Sequence, residues 1–131
     1  MQDRPTSTEL LATLAEFMEA ELMPALDGPL VYRARVAANL LHILQREDAL
    51  GAGALQRECA ALRELLGPEG NAPTGPLTDQ ALELNRRLAA AIDAGRIEHA
   101  RAWPILMDIA RAKLAIIRPG YDSWDAAGEL P

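Results

Sequence analysis

The chain has 131 residues, half of them hydrophobic but only five aromatic, and a net charge of −6. That length suits one domain with a core of its own, held without staples. An acidic balance argues against sequence-independent nucleic-acid binding. A single cysteine, Cys59, excludes an intramolecular disulfide and a thiolate-rich metal site, and no apolar run is long enough to span a membrane.

With few aromatics, the core must be built from Leu, Ile, Val and Ala, a palette that favours helix-on-helix packing. The segment from Met1 to Pro5 has no apolar run of signal-peptide type, so a cytoplasmic location is expected. Charge is uneven along the chain: residues 1–28 carry −5, whereas 29–50 carry +1 and 101–118 carry +3.

The first helix opens with a capping box, Thr6 as N-cap and Glu9 three positions into the helix. Leu10, Leu11, Leu14, Phe17, Met18 and Leu22 follow at the spacing of one helical face. Pro24 predicts its end or a kink, and Asp27-Gly28-Pro29 a tight turn. The second helix is expected over about 29–49. It is apolar around most of its circumference, the pattern of a central helix. Gly51 and Gly53 break that pattern, and a third helix over about 53–66 carries the stripe Leu55, Cys59, Leu62 and Leu66. Cys59 reads there as a small core residue rather than a nucleophile.

Residues 67–76 hold three glycines and three prolines, which predicts an irregular surface loop. The fourth helix is expected from Thr78 as N-cap, with Asp79 in its first turn and Ala81, Leu84, Leu88, Ala91 and Ile92 buried. Gly95 is its expected stop. The fifth helix is expected over about 101–117, with Pro104 in its first turn. Its buried set is Trp103, Leu106, Met107, Ile109, Ala110, Leu114, Ile116 and Ile117. Trp124 is the one residue of the tail able to tether it.

No strand pattern, hairpin signal or internal repeat is present. The expected fold is therefore all-α: a single domain over 1–131 forming a compact up-down bundle of about five helices, the second and fifth central. Residues 1–5 and 122–131 are tails.

Several of these blocks resemble a bacterial family of small uncharacterised helical proteins, a domain of unknown function. They are Arg4-Pro5-Thr6 with Glu9-Leu10-Leu11, Arg35-Val36-Ala37-Ala38-Asn39, Arg46-Glu47, Leu84-Asn85 before Gly95, and Lys113-Leu114-Ala115-Ile116 before Pro119 and Tyr121. The resemblance covers about 4–121, and the Arg-Val-Ala-Ala-Asn block is its most specific piece. Members sit beside acyl-CoA dehydrogenases and phosphotransferases resembling aminoglycoside kinases, which implies an accessory role and such an enzyme as a partner. The family's Asn-Pro before the final Tyr is Arg118-Pro119 here, so a role for that Asn does not transfer.

Two constellations stand out. Tyr32, Arg35, Asn39, His42 and Arg46 are spaced 3-4-3-4, so they share one side of the second helix. Such a stripe is either the solvent window of a buried helix, a contact between subunits of a homodimer, or the wall of a cleft. Two guanidiniums beside an amide would suit a carboxylate or phosphate. The second set is four charges inside apolar arcs: Glu21, Arg33, Glu47 and Lys113. Buried charges need partners, so ion pairs are expected, Glu21 with Arg33 first. Lys113, the only lysine, is alternatively an anion anchor or an activated amine.

A dimetal carboxylate bundle needs Glu-x-x-His pairs. Asn39 precedes His42 and Arg96 precedes His99, so neither pair exists. His99 reads as solvated. No Gly-x-Ser-x-Gly, P-loop or Gly-x-Gly-x-x-Gly occurs. No catalytic set, metal or cofactor is implied. The expectation is a non-enzymatic accessory or interaction protein, the alternative being a small-molecule or anion binder that uses the stripe.

Overall fold

The computed structural model describes residues 4–71 and 73–121, so the expected tether at Trp124 lies outside the described residues. Every regular element among them is helical. They are α1 over residues 7–25, α2 at Pro29–Leu66, α3 at Leu77–Asp93 and α4 at His99–Ile117, with a 3-10 turn at Gly67–Gly70. None is long and apolar enough to cross a membrane.

Four helices stand where five were expected, because the second and third are one helix of 38 residues. Gly51 and Gly53 lie inside it without ending it. A glycine costs a helix about 1 kcal/mol relative to alanine. The flanking turns tolerate that when the backbone stays in the helical region, and neither glycine has a positive φ.

The capping box of α1 is formed as the spacing predicts. Glu9 N–H donates to Thr6 Oγ1 at 3.2 Å, and Thr6 N–H donates to Glu9 Oε2 at 2.8 Å. Helix α1 ends at Ala25, one residue past the expected stop at Pro24. Ahead of it, Phe17–Leu22 widens into a π-helical turn, and Met23 N–H reaches back five residues to the Met18 carbonyl.

Other ends differ from expectation. Helix α3 begins at Leu77, with Pro76 rather than Thr78 as N-cap. Helix α4 starts at His99, so Pro104 lies in its interior. Ala100, whose carbonyl loses its donor there, is exposed, and water can replace the bond. Gly95 does stop α3. With φ +72°, its N–H donates to the Ile92 carbonyl while Arg96 N–H donates to the Ala91 carbonyl, a Schellman closure.

The loop after α2 is pinned rather than free. Arg87 Nη1 donates to the carbonyls of Glu69 and Asn71 at 3.2 and 2.9 Å, Arg96 pairs with Glu69 at 2.9 Å, and Gln80 Nε2 donates to the Gly75 carbonyl at 2.6 Å.

The described residues form two compact units, one running to Gly51 and including Ile116–Arg118, the other holding residues 52–115 and 119–121. In the second unit, Cys59, Leu62, Leu65 and Leu66 of α2 pack with Ala81, Leu84, Leu88 and Ala91 of α3 and with Ile97 and Ala102. These are the stripes expected of the third and fourth helices.

The expected centre at the second and fifth helices is corrected. In the first part of α2, the buried side chains are Ala34 and Ala38, while Leu30, Tyr32, Val36, Leu40 and Leu44 are exposed; on α4, Trp103 and Ile117 are exposed. An all-round apolar helix becomes central only if other helices cover every face. In the first unit, α1 covers one face alone. It packs there through Ala15 and is fastened by Ser7 Oγ and Thr8 Oγ1, both donating to Asp48 Oδ2 at 2.7 and 2.6 Å. Hydrogen bonds from Thr8 and Ser7 hold the Asp48 carboxyl below the usual carboxylate range.

The two kinds of glycine predict opposite outcomes. A Cβ at Gly53 meets only Arg57 Nη1 at 3.4 Å, so Gly53→Ala should stabilise by about 0.5–1 kcal/mol. Gly95→Ala should destabilise by about 1–2 kcal/mol, because it forces a side chain into the left-handed region. Urea unfolding of both variants tests this, and a shift of the same sign in the two would refute it.

Candidate functional site

One concavity in each unit gathers residues singled out in the sequence. The first lies beside α1 and the first part of α2. The π-helical turn carries Glu19, and His42 Nε2 lies 2.5 Å from Glu19 Oε1. The carboxylate only accepts, so the geometry puts the donated proton on Nε2. Together with Met23, Arg35, Ala38 and Asn39, this pair lines a cleft of about 390 Å³.

The cleft gathers three of the five stripe residues, Arg35, Asn39 and His42. Tyr32 is 67% exposed and outside its lining. Arg46 is engaged elsewhere. Its Nε donates to the Ile116 carbonyl at 2.6 Å. Carbonyls in a helix's last turn lack intrahelical donors, and the dipole favours a cation there. Arg46 therefore caps α4 rather than binding a ligand.

The expected ion pairs of the first unit are not formed. Glu21, Arg33 and Glu47 are all exposed, and no hydrogen bond or ion pair joins Glu21 to Arg33 among the described residues. The faces of the helices that carry them are turned to solvent, as their own exposure and that of Leu30, Val36, Leu40 and Leu44 show. A charge that stays hydrated needs no partner.

Lys113 belongs to the second unit and does have an acidic partner, Glu58, at 3.3 Å from its Nζ to Glu58 Oε1. Glu58 is 7% exposed, whereas the Lys113 side chain is 58% exposed, so one partner is fixed and the other loose. Asn85 holds the carboxylate from α3. Its Nδ2 donates to Glu58 Oε1 at 2.7 Å and also to the Ala81 carbonyl at 2.9 Å.

Beside this carboxylate runs a groove of about 220 Å³ between positions 54–61 of α2 and 105–113 of α4. Glu58 and Asn85 were missed as site residues in the sequence. The signal was present for Glu58, which stands three residues after Leu55 and four before Leu62, in register with the apolar stripe.

Cys59 is buried next to it, and burial pushes its thiol above the usual range. A raised thiol pKa opposes a nucleophilic role. Among the described residues, no group of three or more His, Cys, Asp or Glu is placed to hold a metal ion.

The Glu58–Lys113 pair predicts a measurable coupling. Because the lysine is more than half exposed, Lys113→Met should cost only about 1 kcal/mol. In a double-mutant cycle with Glu58→Met, the loss should be non-additive by about 0.5–1 kcal/mol. Urea midpoints of the wild type, two singles and double give the coupling, and additivity would show that the pair carries no stability.

Comparison with known proteins gives one match. No curated protein matches the chain, and neither does any solved structure. A family model, Domain of unknown function (DUF6285), matches residues 24–121, which include the groove residues Glu58 and Lys113 and the Asn85 that bonds Glu58, and leave out the first helix up to Met23. The match is shorter at the N-terminus than the resemblance seen in the sequence, but it covers most of the chain, and the protein belongs to the family described as Domain of unknown function (DUF6285).

Proposed function

We propose that this protein is a non-enzymatic interaction protein that works as a homodimer, joined through the apolar faces of α1 and of the first part of α2. One observation carries the reading. Leu10, Leu14 and Phe17 stand in a row on α1, Val36, Leu40 and Leu44 recur every fourth residue on α2, and all six are 40–54% exposed. Two helices cannot enclose a core, whereas four can. A soluble chain seldom leaves such rows to water unless something covers them.

Charge favours a second copy as the cover. Residues 1–28 carry −5 and 29–50 carry +1. A two-fold pairing sets the acidic helix of one copy against the more basic helix of the other and keeps the two acidic helices apart. On the resemblance alone, we extend the proposal to an accessory role in a bacterial cytoplasm, beside acyl-CoA dehydrogenases or phosphotransferases.

Sedimentation equilibrium at roughly 50 μM, a concentration that populates any dimer with a micromolar Kd, should return twice the chain mass. Leu40→Glu should return the monomer mass with its helical circular dichroism intact. A wild type that stays monomeric at that concentration sinks the dimer.

The cleft supports a second reading, a small carboxylate or phosphate bound by Arg35 and Asn39, both of which line it. Glu19 in the same lining opposes an anion, which ranks this reading below the first. Inorganic phosphate at about ten times its Kd should add about 1.4 kcal/mol of stability, and Arg35→Gln should remove the effect. A melting temperature that phosphate leaves where sodium chloride of equal ionic strength leaves it would eliminate the reading.

A further inference from the structure

The second unit contains a feature that the interaction reading does not use: a buried carboxylate at the wall of an apolar groove, only part of whose bonding capacity is taken. The hydrogen bonds to Glu58 from Asn85 and Lys113 both go to Oε1. Oε2 accepts from no described residue, although Glu58 is 7% exposed and lines the groove. A carboxylate offers about four acceptor sites. Glu58 is buried as a residue, but Oε2 still reaches solvent, so its open sites are accessible to a donor from outside the chain.

The walls define the rest of the ligand. Small side chains at 54, 61 and 112 leave the space, Ile105 and Ile109 give it apolar walls, and Arg57 and Asp108 complete the lining, the Asp108 carboxylate offsetting the Arg57 cation. Its volume of about 220 Å³ is that of roughly seven waters at about 30 Å³ each, enough for a short aliphatic chain. The internal cation already present shows which head group the carboxylate accepts. The Lys113 ammonium sits at 3.3 Å on a side chain 58% exposed, loosely enough to be displaced.

The geometry points to a binding site for a small aliphatic amine in this groove. The protonated amine donates to Glu58 Oε2, and its hydrocarbon chain lies against Ile105 and Ile109. In this arrangement, Lys113 is the tethered stand-in for the ligand's ammonium. Asn85 is a positioning residue that fixes the carboxylate from α3. A purely structural groove would take an alcohol of the same shape equally well, and this one discriminates by charge.

Titration of the isotope-labelled chain with isopentylamine hydrochloride, followed by NMR, tests the site. Amide shifts should saturate and map to 54–61 and 105–113, with isopentanol binding more weakly by about tenfold, the value of one charge-assisted hydrogen bond. Glu58→Gln should weaken amine binding by a similar factor, and Lys113→Met, which removes the internal competitor, should tighten it. Ala112→Leu fills the groove while sparing the carboxylate, and should abolish binding. This variant decides the matter if Glu58→Gln does not fold. Equal affinity for amine and alcohol, unchanged affinity in Glu58→Gln or Ala112→Leu, or shifts that never saturate would each overturn the proposal. None of these outcomes bears on dimerisation, which rests on the other unit.

Discussion

The unbroken course of α2 through Gly51 and Gly53 is the constraint from which the rest of the arrangement follows. A break there would have freed residues 53–66 to fold back as a separate helix. Continuity gives residues up to Gly51 to one unit and residues from Ala52 to the other. The second unit gains α3 and most of α4 and buries a leucine core. The first has α1 alone along its part of α2, together with the end of α4. Its buried side chains are accordingly small, Ala15, Ala34 and Ala38, apart from Ile116. The exposed leucines are the direct result of having too few helices to cover an apolar cylinder.

Polar side chains compensate for the thin packing of the first unit. Asp48 receives two hydroxyls from the start of α1, Glu19 reaches His42, and Arg46 caps α4. Contacts of this kind fix register, but their net contribution is small because each also forfeits hydration. In the second unit the balance reverses. Leu62, Leu84 and Leu88 are fully enclosed, and against them stands one buried carboxylate among the described residues, Glu58. Such a group is costly unless its oxygens find donors. Asn85 and Lys113 supply donors to Oε1, while Oε2 still reaches solvent, and Glu58 lines the groove of this unit.

Much of this was readable from residue order. The capping box at Thr6 and Glu9, the stop at Gly95, and the stripes 59-62-66 and 81-84-88-91 rest on local hydrogen bonds and a 3.6-residue period, both properties of a few adjacent turns. The ends of α3 and α4 were misplaced by two residues because proline at 76 or 104 is compatible with more than one start. The glycines at 51 and 53 misled in the same way. Propensity prices a glycine at about 1 kcal/mol, a cost that a long helix absorbs without breaking.

The site was legible only in part. Arg35, Asn39 and His42 were identified from their common face, and Lys113 from its apolar surroundings. Helical spacing says which residues share a side but not what lies opposite that side. Hence Arg46 turned out to cap a helix, Glu21 and Arg33 turned out to be solvated, and Lys113 paired with a glutamate on a different helix.

The sequence by itself determined that the chain is helical, where most of its helices begin and end, and which leucines form stripes, because these depend on neighbours a turn away. Only the tertiary structure decided which stripes are covered, that Asn85 and Lys113 converge on Glu58, and that small side chains at 54, 61 and 112 leave a groove beside it. Those facts depend on residues 27 and 55 positions apart in the chain, and no local period reports on them.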